Sequence, residues 1–349
     1  MAVSTRIIKR RIKSIGNTKK ITKAMELVSA SKMRRAVNAT LGTRPYATLG
    51  WETVGELAKV TDAKLHPLLR QSEETKCALV VFVSSDRGLC GGFNAQMAKK
   101  VVEFVKLQTP PNLPSERGVN DSISPPARGG VRGGGSAIDF LTIGKKGTDL
   151  ARRLGWNIVA TFNKLSNNPR ITDVRPVAQL AITDFIAGKY DAVYLAYTDF
   201  ISSIRQVPNI KQLLPLTSEV VIASEATAVA GQAKQSHAED VRSPRPYDGA
   251  RDDIMGGGSN AAYSYDYLFE PTPAEVLDGM LPRLVEVQVY QAILESSASE
   301  HSARMVAMKS ASDAARDMID DLTFTFNQAR QATITREIAE ISAGKAALE

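Results

Sequence analysis

Arg283-Leu284-Val285-Glu286-Val287-Gln288-Val289-Tyr290-Gln291 opens a run that reaches Ala343 with neither proline nor glycine. As a single helix this run is about 60 residues, or ~90 Å. Within it Leu284, Val287, Gln291, Leu294, Ala298, His301, Met305, Met308, Ser312, Ala315, Ile319, Leu322, Phe326 and Ala329 follow steps of three and four without a break. That cadence predicts a coiled-coil seam, weakened locally at Gln291, His301 and Ser312. The run is too long for a helix buried in a globular core. A seam needs a second helix.

The candidate is the start of the chain. Residues 3–40 contain no proline and a single glycine before residue 40, Gly16. Ile8, Ile12 and Ile15 are spaced four then three, and Ile21, Met25 and Val28 repeat the spacing after a change of phase. Antiparallel pairing would bring the two chain ends side by side. Residues 1–60 are therefore expected to form one coiled-coil helix and residues 275–349 the other.

Charge is concentrated in the same segment. The 349 residues carry 44 Lys+Arg against 37 Asp+Glu, a net +7. Residues 1–35 hold eleven basic side chains and one acid, Glu26, so they carry +10 and the rest of the chain −3. The basic residues include Arg10, Arg11, Lys19, Lys20, Lys23, Lys32, Arg34 and Arg35. Such a segment calls for an acidic surface. A solvated face would not be this one-sided. A transit peptide would show a cleavage-like break before Ala24-Met25-Glu26-Leu27. A nucleic-acid arm would interleave aromatics for base stacking. From these residues alone, a protein partner and nucleic acid stand level.

Between the ends, strands and helices alternate. The apolar Cys77–Asp86 reads as a strand, followed by helix 95–107, strand 139–143, helix 148–154, strand 157–162, helix 174–187, strand 192–197 and a β region at 203–216. This predicts a Rossmann-like open α/β sheet of parallel strands over residues 75–230. The Pro- and Gly-rich stretches 108–137 and 232–262 read as flexible insertions. Two Arg-Gly-Gly units in the first are weak grounds for an RNA contact.

The chemistry-bearing residues do not assemble into a site. Ser84-Ser85-Asp86-Arg87-Gly88-Leu89-Cys90-Gly91-Gly92-Phe93-Asn94 joins a strand to a helix, yet matches neither dinucleotide nor P-loop spacing. A tight packing turn explains it better, as it does Lys145 between Gly144 and Gly147. His66, His237 and His301 are scattered. Cys77 and Cys90 make no disulfide framework, and no Cys/His group has zinc spacing. Cys90 lacks a neighbouring base. No run of about 18 apolar residues would cross a membrane. The first residues lack the apolar core of a secretion signal, so reducing cytoplasm is the default.

Four blocks resemble one family. They are Lys19–Arg34, Ser84–Asn94, Ser299–Lys309 and Ala329-Arg330-Gln331-Ala332-Thr333-Ile334-Thr335-Arg336-Glu337-Ile338-Ala339-Glu340-Ile341. In this order they resemble the gamma subunit of the rotary F-type ATP synthase of bacteria. The one departure is Gly344-Lys345, where the family usually has Gly-Ala.

The resemblance implies a rotor shaft with no catalytic site, cofactor or metal of its own. It implies an antiparallel helix pair inside a hexamer of alpha and beta subunits. The α/β domain would stand outside, beside the epsilon subunit and on the c-subunit ring. Proton-driven turning of the ring would then force the catalytic interfaces through their conformations. By this resemblance Met25, Arg330, Gln331, Thr335 and Glu337 contact the hexamer, the basic face meets acidic beta-subunit loops, and Tyr267 and Glu270 form the foot on the c ring. Nucleic acid is not a partner, and the membrane is met only through the c ring, at the cytoplasmic face of the inner membrane. A cysteine-pair redox switch is not supported, because the insertions lack cysteine. The rival readings are a basic RNA-binding protein and a nucleotide-dependent enzyme.

Overall fold

The computed structural model describes residues 5–60, 66–70, 77–108, 137–165, 169–216, 270 and 272–346. The two insertions fall outside the described residues, apart from their end positions 108 and 137.

Cys77–Val83 (β1) is buried on both faces, which is why it reads as an unbroken apolar run. It sits at the centre of a five-stranded sheet, parallel to Ala137–Ile143 (β2) on one side and Ala192–Phe200 (β4) on the other. Asn157–Phe162 (β3) extends the sheet beyond β2, and Gln206–Leu214 (β5) closes the far edge, giving the order β3-β2-β1-β4-β5. The all-parallel expectation fails at β5, which pairs antiparallel with β4. The intervening link, 201–205, is too short for a crossover and can only make a hairpin.

Phe93–Gln108 (α1) and Lys145–Arg153 (α2) lie on one face of the sheet. There Val80, Phe82, Phe140 and Ala196 meet Met97 and Val101, and Trp156 stacks on Phe140 with ring centroids 4.3 Å apart. The opposite face, with Leu79, Val81, Leu141 and Val193, is covered by Ile171–Ile186 (α3) and by Leu281, Val285, Val289 and Ile293 of the C-terminal helix. Helix α2 starts at Gly144, whose φ of +91° suits glycine, and where a Cβ would strike the Ser84 carbonyl.

Two long helices complete the fold. The N-terminal helix αN spans Thr5–Val60, and the C-terminal helix αC spans Pro273–Ala346. Both run farther than their proline-free stretches, passing through Pro45 and Pro282 respectively. A proline in a helix removes one hydrogen bond and crowds the preceding turn. Tertiary packing along the partner helix outweighs that cost here.

The pair is antiparallel. Thr43 Oγ1 lies 2.5 Å from Gln291 Oε1, and Gly50 has no side chain where Leu284 Cδ2 would come within 2.5 Å of a Cβ. Continuing this register by heptads sets Thr22 level with Ser312, Ile15 with Ile319, Ile12 with Leu322 and Ile8 with Phe326. The C-terminal seam is as expected: Leu284, Leu294, Ala298, Met308 and Ala315 are buried, and the predicted weak points Gln291, His301 and Ser312 are buried with them.

The N-terminal seam differs from the expectation. Ile8 is buried, but Ile21 and Val28 are 61% and 57% exposed. The seam does not change phase. It continues through Lys19, Thr22, Glu26, Ser29, Met33, Ala36, Thr40, Thr43 and Ala47. Small side chains there let the helices approach closely. The hydroxyls of Thr22, Ser29 and Thr40 bond back to carbonyls of their own helix, so burying them leaves no donor unpaired.

Candidate functional site

An open sheet of this order has one place where a ligand would be expected. Crossovers leave β1 toward β2 on one face and reach β4 over the other. The carboxyl ends of β1 and β4 therefore flank a topological switch point. The Gly-rich turn Ser84–Asn94 lies there.

That crevice is occupied by the chain's own helix. Ser299 Oγ donates to Thr198 O at the end of β4 (3.3 Å), and Ser302 Oγ to Ser203 O (2.5 Å). Arg304 Nη2 donates to Arg87 O (3.2 Å) and Gly88 O (3.4 Å), and pairs with Glu300 Oε1 at 2.7 Å. Gly91 adopts φ +56°, and a Cβ there would stand 3.7 Å from Ala307 Cβ. Residues 292–302 of αC are buried all round although many are polar; Ser299 bonds to the end of β4, Ser302 to the β4–β5 hairpin, Glu295 to Arg44 and Glu300 to Arg304.

Several backbone amides beside the crevice are also engaged. Gly147 N donates to Ser84 Oγ, Lys146 N to Ser85 O and Lys145 N to Asp86 Oδ1. Ser85 N is taken by Asn94 Oδ1. Cys90 is buried, with Asn94 Nδ2 3.1 Å from its sulfur. Among the described residues no group of His, Cys, Asp and Glu could hold a metal ion, and no helix is long and apolar enough to cross a membrane.

Charged groups beside the crevice respond to burial. His301 is pushed down to about 4, first by burial and then by the cations of Arg304 and Lys32. Burial raises Glu300, against the pull of Arg304. A second cluster ties the helix pair together. Arg44 Nη2 reaches Glu295 Oε1 at 3.1 Å, and Glu295 also accepts from Gln291 Nε2 at 2.9 Å. Burial raises Glu295, with Arg44 opposing.

The residues expected to make outside contacts lie at separate levels of the shaft. Arg330, Gln331, Thr335 and Glu337 are exposed near the end of αC, beyond the described start of αN. Met25 is half-buried on αN, about three heptads or ~31 Å from the level of Arg330. Of the basic face, Arg10, Arg11, Lys20, Lys23, Arg34 and Arg35 are exposed. Lys23 pairs with Glu26 at 3.0 Å. Lys19 and Lys32 are half-buried, with Lys19 on the seam and Lys32 acting on His301. Glu270 is exposed, and Tyr267 lies outside the described residues. Sequence reasoning missed Arg44 and Glu295, whose partnership spans 251 positions.

A helix pair carrying an open sheet whose ligand crevice is plugged is a mechanical arrangement. The sequence profile of the family described as ATP synthase matches residues 4–348. The chain belongs to that family, as a gamma chain. The ATP synthase gamma chain of Chloroflexus aurantiacus is 39% identical over 347 residues, covering 99% of each chain. That of Herpetosiphon aurantiacus is 38% identical over 352 residues, again 99% of each. That of Xanthomonas oryzae pv. oryzae is 36% identical over 343 residues, 98% of this chain and 99% of its own.

Solved structures share the fold of this gamma chain. A chain from the Euglena gracilis mitochondrial ATP synthase (OSCP/F1/c-ring, rotational state 3) superposes with a TM-score of 0.57 at 16% identity, covering 99% of this chain and 94% of that one. One from the central stalk and c ring of the Tetrahymena thermophila enzyme gives 0.52 at 23% identity, covering 84% and 99%.

Proposed function

We propose that this gamma chain is the rotating shaft of a proton-translocating F-type ATP synthase, and that it has no catalytic site. Its αN–αC pair would stand within an alpha/beta hexamer and turn with a c-subunit ring. The carrying observation is the unbroken antiparallel seam from Gly50 and Leu284 to Ile8 and Phe326, with a plugged crevice where an enzyme of this sheet order would hold its ligand.

A paired helix resists bending and twisting better than one helix, as torque transfer requires. The +10 segment suits this role, because long-range attraction to acidic loops survives rotation. Met25 would meet the hexamer low on the shaft, and Arg330, Gln331, Thr335 and Glu337 near its tip. Glu270 and Tyr267 would meet the c ring, with the epsilon subunit beside the sheet. Residues 1–60 and 275–349 are read as the shaft, and 75–230 as the outer domain. Through the ring the chain would sit peripherally on the cytoplasmic face of the inner membrane.

Co-expression with alpha and beta subunits tests this. A stoichiometric complex with ATPase activity above that of the hexamer is expected. Failure to copurify, or salt-dependent RNA binding by the chain instead, would overturn it.

A further inference from the structure

We infer that Arg44 and Glu295 form a torque-bearing joint that makes αN turn in phase with the sheet; this rests on the rotor reading above.

The sheet is fastened to αC twice over. Leu281, Val285, Val289 and Ile293 belong to its core, and Ser299 bonds to the end of β4, Ser302 to the β4–β5 hairpin and Arg304 to the turn after β1. Helix αN is held mainly by its seam with αC, to which it contributes small side chains such as Ser29, Ala36, Thr40 and Ala47 at the level of the sheet and beyond. Seam packing is non-directional, so it resists separation of two helices better than sliding or rolling of one on the other. Directional bonds resist those motions.

Arg44 supplies them at the level where all three parts meet. Its Nη2 donates to Glu295 Oε1 on αC at 3.1 Å and to Phe200 O at the end of β4 at 3.4 Å. The circuit then closes within the pair. Glu295 Oε1 accepts from Gln291 Nε2, and Thr43, the residue beside Arg44, donates its hydroxyl to Gln291 Oε1. The Glu295 side chain is 9% exposed and that of Arg44 is 45% exposed, so the carboxylate end of this ion pair is screened less than in a surface pair while the guanidinium end meets solvent. Tyr197, Asp199 and Lys211 act on the same carboxylate or lie beside it from β4 and β5, and Asn209 holds Asp199 at 2.8 Å. A partly buried pair of this kind is a poor source of net stability, and registry is its best-attested use. Arg44 and Glu295 are thus positioning residues.

The test uses the whole complex in proteoliposomes, with Arg44→Ala, Glu295→Gln and Arg44→Lys. Arg44→Ala is expected to lower the protons pumped per ATP hydrolysed against a proton gradient. Its ATP hydrolysis in detergent, where the rotor turns without load, stays at the wild-type rate. Arg44→Lys, which keeps the cation, recovers part of the loss. Glu295→Gln keeps the shape and an acceptor oxygen, and carries the test if Arg44→Ala does not assemble. Unchanged pumping in both Arg44→Ala and Glu295→Gln complexes would overturn the joint. Equal losses with and without load would also overturn it, since they mark a merely structural role. If the wild-type chain forms no pumping complex, the rotor reading itself fails, and this is seen before any variant is compared.

Discussion

Replacing His301 by Gln should flatten the acid limb of this protein's stability. The ring is 4% exposed, and its Nδ1 stands 3.3 Å from Arg304 Nη1, so that nitrogen is the acceptor and the ring is neutral. Protonation would set a third cation beside Arg304 and Lys32 in a buried place. In the folded chain the group titrates at about 4, against 6.5 when free. The unfolded chain therefore takes up the proton first. The contribution of the neutral ring is fully present above about pH 6.5, drains away as pH falls, and is gone below about pH 4. Its full size is on the order of 3 kcal/mol. Glu300 beside it is raised by burial and works in the opposite sense, gaining stability as it takes up its proton. Glu300 is present in both proteins, so the comparison concerns wild type minus His301→Gln. Urea unfolding of each, between about pH 7.5 and 4.5, supplies that difference. It should shrink by up to about 1.4 kcal/mol for each pH unit below 6.5. Parallel curves would refute the reasoning.

The seam makes a sharper prediction about its own phase. Ile8→Ala should cost roughly 2–4 kcal/mol and strip hydrogen-exchange protection from the start of αN. Ile21→Ala, at a position 61% exposed, should change stability by less than about 0.5 kcal/mol. Equal effects would restore the phase change. Gly144→Ala, forced against the Ser84 carbonyl at φ +91°, should lower the melting temperature far more than Gly188→Ala, where φ is +71° but nothing lies within 4 Å. Similar losses in the two would show that conformation alone, not collision, governs position 144.

The long helices and the sheet were legible because apolar residues carried their signal. Leu284 through Phe326 mark the C-terminal seam directly, and the run Leu79–Val83 marks a strand buried on both faces. The N-terminal seam was obscured because Thr22, Ser29, Ala36, Thr40 and Ala47 are small or polar, while the apolar Ile21 and Val28 point outward. A usable sign was present: small residues one heptad apart at Thr22, Ser29 and Ala36, then at steps of four and three to Gly50, in antiparallel step with the αC heptads. The reversal of β5 was also readable, from the shortness of the link 201–205. The joint was not. Arg44 and Glu295 are ordinary charged residues on two helices far apart in sequence, and only their packing makes them neighbours. The plug in the crevice was hidden for the same reason, since nothing in the sequence brings Ser299, Ser302 and Arg304 to the turn after β1 and the end of β4.

The plug fixes an angle as well as a contact. Arg304 fits one turn, Ser299 one strand end and Ser302 one hairpin, so the sheet can seat on αC in a single azimuth. Whatever grips the sheet at one end of the molecule is thereby set at a fixed compass bearing to Arg330 at the other. The chain is a key cut with its handle and its teeth in a permanent relation, and its timing is set when it folds.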